Sequence, residues 1–249
     1  MQKLLKINPE EIHTSNNLFF TLGLIRNDLG DLSYLQSLHV NTFKDSNVGN
    51  EISAINGQIS GRNIFILRLA LSHLYNALEF FRKSKRLIND PDSNLQKYVS
   101  QLNSSDKKAW AFFQEISLCE DYAEVEKIEK LPKKFKDIIK LSIDSRNQFT
   151  YHYYGSAKWI GRGYEVAFKN HSEPRSQYAY VTELKSIKSD RSYYVDLAIQ
   201  RYLESKIGID SDIFTECLDN FLDFSGSLNR VISELLRRYH NDIKLKDKF

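Results

Sequence analysis

Proline, glycine, methionine and cysteine are all scarce in this chain of 249 residues, which holds four, ten, one and two of them respectively. Few prolines and glycines mean few enforced breaks, so long helices are expected rather than many short strands. The two cysteines, Cys119 and Cys217, stand far apart, a usage that points to reduced thiols and a cytoplasmic home rather than a disulfide framework. The N-terminal MQKLLKINPEEIH has no apolar run of signal-peptide length. No later run reads as approaching the roughly 20 apolar residues of a membrane span, so no membrane partner is expected. Histidines at 13, 39, 73, 152, 171 and 240 make no C-x-x-C or H-E-x-x-H spacing, and no glycine-rich phosphate loop is present, so neither a metal nor a cofactor is expected. A dominant charge is lacking too: 35 Lys and Arg against 32 Asp and Glu leave a formal +3, too little to imply nucleic-acid binding by itself.

What is present is the composition of an ordinary globular protein, with 41% hydrophobic and 27% charged residues. Leu18, Leu22, Ile25, Leu29, Leu32 and Leu35 recur at threes and fours and predict a first helix from about 16 to about 43, capped by Thr14, Ser15 and Asn16. Ile64, Leu67, Leu71, Leu74, Leu78 and Phe81 mark a second, from about 50 to about 87, before NDPDSN breaks the pattern. Two shorter helices follow, at about 93 to 102 and about 105 to 120, the latter opening on a Ser-Ser-Asp cap. Pro132 and Gly155 bound a helix over about 133 to 153. Aromatic and β-branched residues around Gly161 and Gly163 predict a small antiparallel β insertion near 157–183. Helical patterning resumes from about 192 to 207 and from about 210 to 244. Without repeats or low-complexity linkers, one domain over 1–249 is the simplest division.

The chemistry collects at SRNQFTYHYY, residues 145–154. At ~100° per residue, Phe135, Ile138, Ile139, Ser142, Arg146 and Phe149 fall on one side of the helix, which places Arg146 inside an apolar stripe. A guanidinium there must meet a carboxylate, a polar cleft or a subunit boundary, because an uncompensated buried charge costs several kcal/mol. Asp28, Glu79 and Glu115 are candidate carboxylates. His152 lies six positions on, ~120° around an ideal helix, within reach of a long arginine side chain. Arg146, Asn147 and His152 are residue types suited to phosphate and proton-transfer chemistry. A histidine near neutrality can take or give a proton, an arginine offers a fixed fork of donors to phosphate, and the asparagine can orient either. The plainer alternative is a polar helix end in which His152 meets the last carbonyls. Tyr151, Tyr153 and Tyr154 read first as packing, with base stacking as the alternative.

Arg146, Asn147 and His152 resemble the arginine, polar residue, histidine signature of the HEPN superfamily, and RNQFTYHYY is similar to the form seen in some of its bacterial members. The resemblance implies a mostly α bundle of long antiparallel helices, typically a homodimer. It also implies a metal-independent endoribonuclease in a toxin–antitoxin or phage-defence setting, with RNA as substrate and an antitoxin or regulatory protein as partner. The alternative within the same fold is a non-catalytic helical module that binds nucleotides or proteins. Other candidates carry plainer explanations. Arg68 and His73 share the bare spacing but sit mid-helix in an apolar run. Lys133, Lys134 and Lys136 suit a solvated first turn, and Arg237, Arg238 and His240 suit a helix C-terminus.

Overall fold

A computed structural model describes residues 17–43, 54–145, 160–166, 193–207 and 213–243. The described chain is mostly helical, with no strand among the described residues. We number the helices α1 (Asn17–Phe43), α2 (Ala54–Lys83), α3 (Lys85–Asn89), α4 (Asn94–Ser100), α5 (Ser104–Leu118), α6 (Tyr122–Glu126), α7 (Lys133–Ser145), α8 (160–166), α9 (Tyr193–Ile207) and α10 (Ile213–Asp242). The chain divides into two compact units: Met1–Asp31 with Asn76–Pro132 and Leu222–Phe249, and Leu32–Tyr75 with Lys133–Phe221.

The first unit is built on an aromatic core. Phe81 is wholly buried and lies 5.9 Å from both Trp110 and Phe113, which in turn meets Phe224 at 5.7 Å. Such pairs add about 0.5–1.5 kcal/mol each beyond the area they bury, so Phe81→Ala is expected to cost about 3–5 kcal/mol. Phe19 stacks on Tyr239 at 4.3 Å, and Arg26 Nε donates to Ser233 Oγ at 3.2 Å. Numbers that rise along α1 thus meet numbers that fall along α10, so in this unit the two helices run antiparallel. The NDPDSN break is a turn in which Asp90 Oδ1 accepts from the Asp92 amide and Asp90 O from the Ser93 amide. Ser93 then caps α4.

Local chemistry moves two expected boundaries. The cap of α5 is Asn103, one residue ahead of the expected Ser-Ser-Asp. Its Oδ1 accepts from the Asp106 amide at 2.9 Å while its Nδ2 donates to Asp106 Oδ2 at 2.6 Å, satisfying an otherwise orphaned helix donor. The helix expected to run on to about 87 is interrupted at Ser84, although Ser84 still donates to Phe80 O and its own carbonyl accepts from Ile88.

In the second unit Ile64, Leu67, Leu71, Leu74, Ile138, Ile139, Leu141, Ala198, Ile199 and Leu203 are buried, and α7 packs on α9. The expected β insertion is corrected where it is described: residues 160–166 are helical. A Cβ added at Gly163 would collide with the Ala198 carbonyl and crowd Tyr202. Gly163 therefore serves close helix approach to α9, not a strand turn. The rest of 157–183 lies outside the described residues.

One stretch overturns the reading that no run approaches a membrane span. Gly61–Lys83 has 23 residues and a hydropathy of 1.3, long and apolar enough by those measures alone. About half of it is buried, with Leu67, Leu71, Leu74, Ala77 and Phe81 0–2% exposed and Phe65 57% exposed.

Candidate functional site

Helix α7 is the lead-in to the motif. Lys133 and Lys134 are exposed and Lys136 is half-buried, so the lysine-rich first turn is a largely solvated face. Ile138, Ile139, Leu141, Ser142 and Ser145 are buried, and Phe135 is half-buried. The apolar stripe expected from spacing is present from Phe135 to Ser142. Ser142 satisfies its hydroxyl by donating to Ile139 O at 2.6 Å, so a small polar residue sits in the core at little cost. Arg146, Asn147 and His152, with Phe149, Tyr151, Tyr153 and Tyr154, lie outside the described residues.

The competing candidates fall into ordinary surroundings. Arg68 and His73 are half-buried on α2 between the buried Leu67, Leu71 and Leu74. Glu79, one of the carboxylates considered for Arg146, is bonded by Arg82 and lies 3.8 Å from Lys83 on its own helix. Arg82 also donates to the Glu120 carbonyl. Asp28 and Glu115 are half-buried.

The C-terminal cations are more informative. Arg237 donates to Glu234 from both Nε and Nη2, the shortest contact being 2.8 Å, and this pairing holds the Glu234 carboxyl below its ordinary range. Arg238 lies 3.8 Å from Glu234 and donates to Gln101 Oε1 at 3.2 Å. Asp242 accepts from Lys97 Nζ at 2.6 Å and Tyr98 Oη at 2.8 Å, and these bonds lower its pKa. His240 is half-buried, and burial, followed by the positive charge of Arg26, pushes its imidazole below the usual histidine range. Among the described residues no carboxylate meets Arg26; its Nε is held by Ser233. No local spacing links Arg26 to Ser233, because 207 positions separate them and only antiparallel packing joins them.

Arg230 Nε donates to Asp106 Oδ1 at 2.7 Å; the carboxylate is 2% exposed while the arginine side chain is 53% exposed. This is a buried anion held from the surface, a structural arrangement. Burial first, then Glu124, Asp121 and Glu115, push the Cys119 thiol upward, which disfavours the reactive thiolate. Among the described residues no group of three or more His, Cys, Asp or Glu side chains is placed to hold a metal ion. Comparison of the chain with protein-family models, curated proteins and solved structures finds no match.

Proposed function

We propose that this chain is a HEPN-type, metal-independent endoribonuclease working in a toxin–antitoxin or phage-defence setting, with Arg146, Asn147 and His152 as its reacting groups. The observation that carries the reading is the burial pattern of α7. Ile138, Ile139 and Ser142 are in the core, so a motif with phosphate and proton-transfer chemistry directly follows a core-anchored helix. The mostly helical character of the described chain supports the same reading.

In this mechanism His152 moves a proton at the 2′-oxygen or the 5′-oxygen, and Arg146 offers a fixed fork of donors to the phosphorane. Asn147 orients the phosphate or the imidazole. One histidine cannot both remove and deliver a proton on opposite sides of phosphorus, so the proposal includes a homodimer whose two-fold axis supplies a second Arg146 and His152. Paired arginines at such an axis also give Arg146 a polar boundary to face and an anionic ligand to bind.

The test is cleavage of RNA by purified protein in excess chelator, alongside Arg146→Ala and His152→Ala. Loss of cleavage in both, with folding intact, supports the proposal. Failure of the wild-type chain to cut any RNA, with both variants behaving as wild type in cells, overturns it in favour of the non-catalytic module.

A further inference from the structure

The flank shared by α1 and α10 carries a row of guanidinium groups that the proposed reaction does not use. Arg230, Ser233, Arg237 and His240 follow one another at steps of three or four, so they line one side of α10 over about 15 Å. Ser233 holds Arg26 from α1 by its Nε at 3.2 Å, which fixes a third guanidinium between Arg230 and Arg237. Arg26, Arg230 and Arg237 are all exposed. The carboxylates nearby are Asp106, buried beneath Arg230, and Glu234, shared by Arg237 and Arg238. Among the described residues Arg230, Arg237 and Arg238 thus pair with two carboxylates, one of them out of a ligand's reach, and Arg26 pairs with none. Asp28 and Asp31 lie on the other side of α1, ~160° and ~140° around it from Arg26.

Beside this row an aromatic ring is left in water. Gly23 is one turn from both Phe20 and Arg26, which sets the ring ~120° around α1 from the guanidinium and ~9 Å along the axis. Phe20 is 69% exposed although Phe19 next to it is 2% exposed. At Gly23, between the two along the chain, a Cβ would meet nothing within 4 Å, so no other element covers that point of α1. A cationic row that follows a backbone, with an open aromatic face to one side, is the chemistry of single-stranded nucleic-acid binding: phosphates on the guanidiniums and a base on the ring.

We propose that Arg26, Arg230 and Arg237, with Phe20 as a stacking face, form a track for the phosphodiester backbone of single-stranded RNA. The inference rests on the proposed ribonuclease reading for its choice of RNA, and it adds a binding surface distinct from the reacting residues. Ser233 orients the Arg26 fork. Arg230 and Arg237 keep their carboxylate partners and present their remaining N–H groups outward.

Binding is measured apart from cleavage by fluorescence anisotropy with a labelled 2′-O-methyl oligoribonucleotide, which lacks the 2′-hydroxyl nucleophile. The full chain is compared with Arg26→Gln, Phe20→Ala and the control Lys127→Gln, whose exposed lysine stands on another segment. Phe20→Ala is expected to weaken binding at least about fivefold. Arg26→Gln is expected to weaken it and to reduce the slope of log affinity against log salt by about 0.7, the loss of one phosphate contact. Lys127→Gln leaves both unchanged. Unchanged affinity in Phe20→Ala and Arg26→Gln overturns the track, as does Arg26-dependent binding to phosphatidylserine vesicles without oligonucleotide binding. Binding that needs Phe20 and Arg26, with no cleavage of ordinary RNA, upholds the track and removes the ribonuclease reading. Cleavage with affinity insensitive to both variants does the reverse.

Discussion

Two arginine–histidine constellations in this chain are built in opposite ways. Arg146 and His152 stand six residues apart on one segment, so a spacing rule finds them. Arg26 and His240 come from opposite ends of the chain and are brought near by the antiparallel packing of α1 and α10. The first is proposed to carry chemistry and the second sits within a proposed binding surface. The difference teaches that charge and burial decide what a histidine can do. A histidine partly desolvated and near a guanidinium charge resists protonation, and one meant to exchange protons near neutrality needs an environment that leaves both states accessible.

The largest effect expected to sharpen the contrast is on Arg146. Arg146→Ala is predicted to lower RNA cleavage by about 10²-fold or more, the scale of losing a group that meets developing charge, whereas His240→Asn leaves cleavage within about twofold. Rates with saturating RNA check both, and equal losses in the two variants would erase the distinction. Next in size is the buried ion pair. Arg230→Ala leaves Asp106 2% exposed without its guanidinium and is predicted to destabilise the protein by about 2–3 kcal/mol, a figure moderated because Asn103 Nδ2 still donates to the carboxylate. Urea unfolding measures it, and a change below about 0.5 kcal/mol would mean that solvent already satisfies Asp106.

Smaller still is the pH dependence of stability. His240 has a folded pKa below its unfolded value, from burial first and Arg26 second. The unfolded chain therefore binds the proton more readily, and stability falls as pH drops from about 6.5 towards the folded pKa. Besides Arg26 from α1, the Tyr239 ring lies 5.6 Å away and Arg237 stands one turn back on the same helix. Asp242 and Glu234 have lowered pKa values and contribute in the same direction below about pH 4. His240→Asn is predicted to flatten the slope between pH 7 and pH 5, and a slope unchanged by the substitution would assign it to another group. The smallest effect belongs to the exposed pair: Arg237→Ala should change stability by no more than about 1 kcal/mol by thermal melting.

Much of the fold was legible because apolar spacing is a local signal. The helices expected at about 93 to 102, 105 to 120 and 192 to 207 correspond to α4, α5 and α9 within a few residues. Where the expectation failed, the deciding contact was distant or the element too short to show a period. Gly161 and Gly163, among aromatic and β-branched neighbours, read as a strand turn, yet Gly163 answers to the Ala198 carbonyl 35 positions on, which no local rule sees. Helix α6, five residues long, is instead held by capping, with the Glu124 amide donating to Asp121 and the Glu124 carboxylate accepting from the Glu120 amide. Arg146, Asn147 and His152 were legible as types at a spacing. The Arg26–Ser233 bond was not, since neither residue belongs to a motif and only the packing of α1 on α10 joins them.

The most direct measurement is the rate at which the purified chain cuts single-stranded RNA in excess chelator near pH 7, with His152→Ala assayed beside it. Cleavage by the wild-type chain is expected, with a fall of at least about 10²-fold in His152→Ala and unfolding stability unchanged. Cleavage by His152→Ala at the wild-type rate would contradict it.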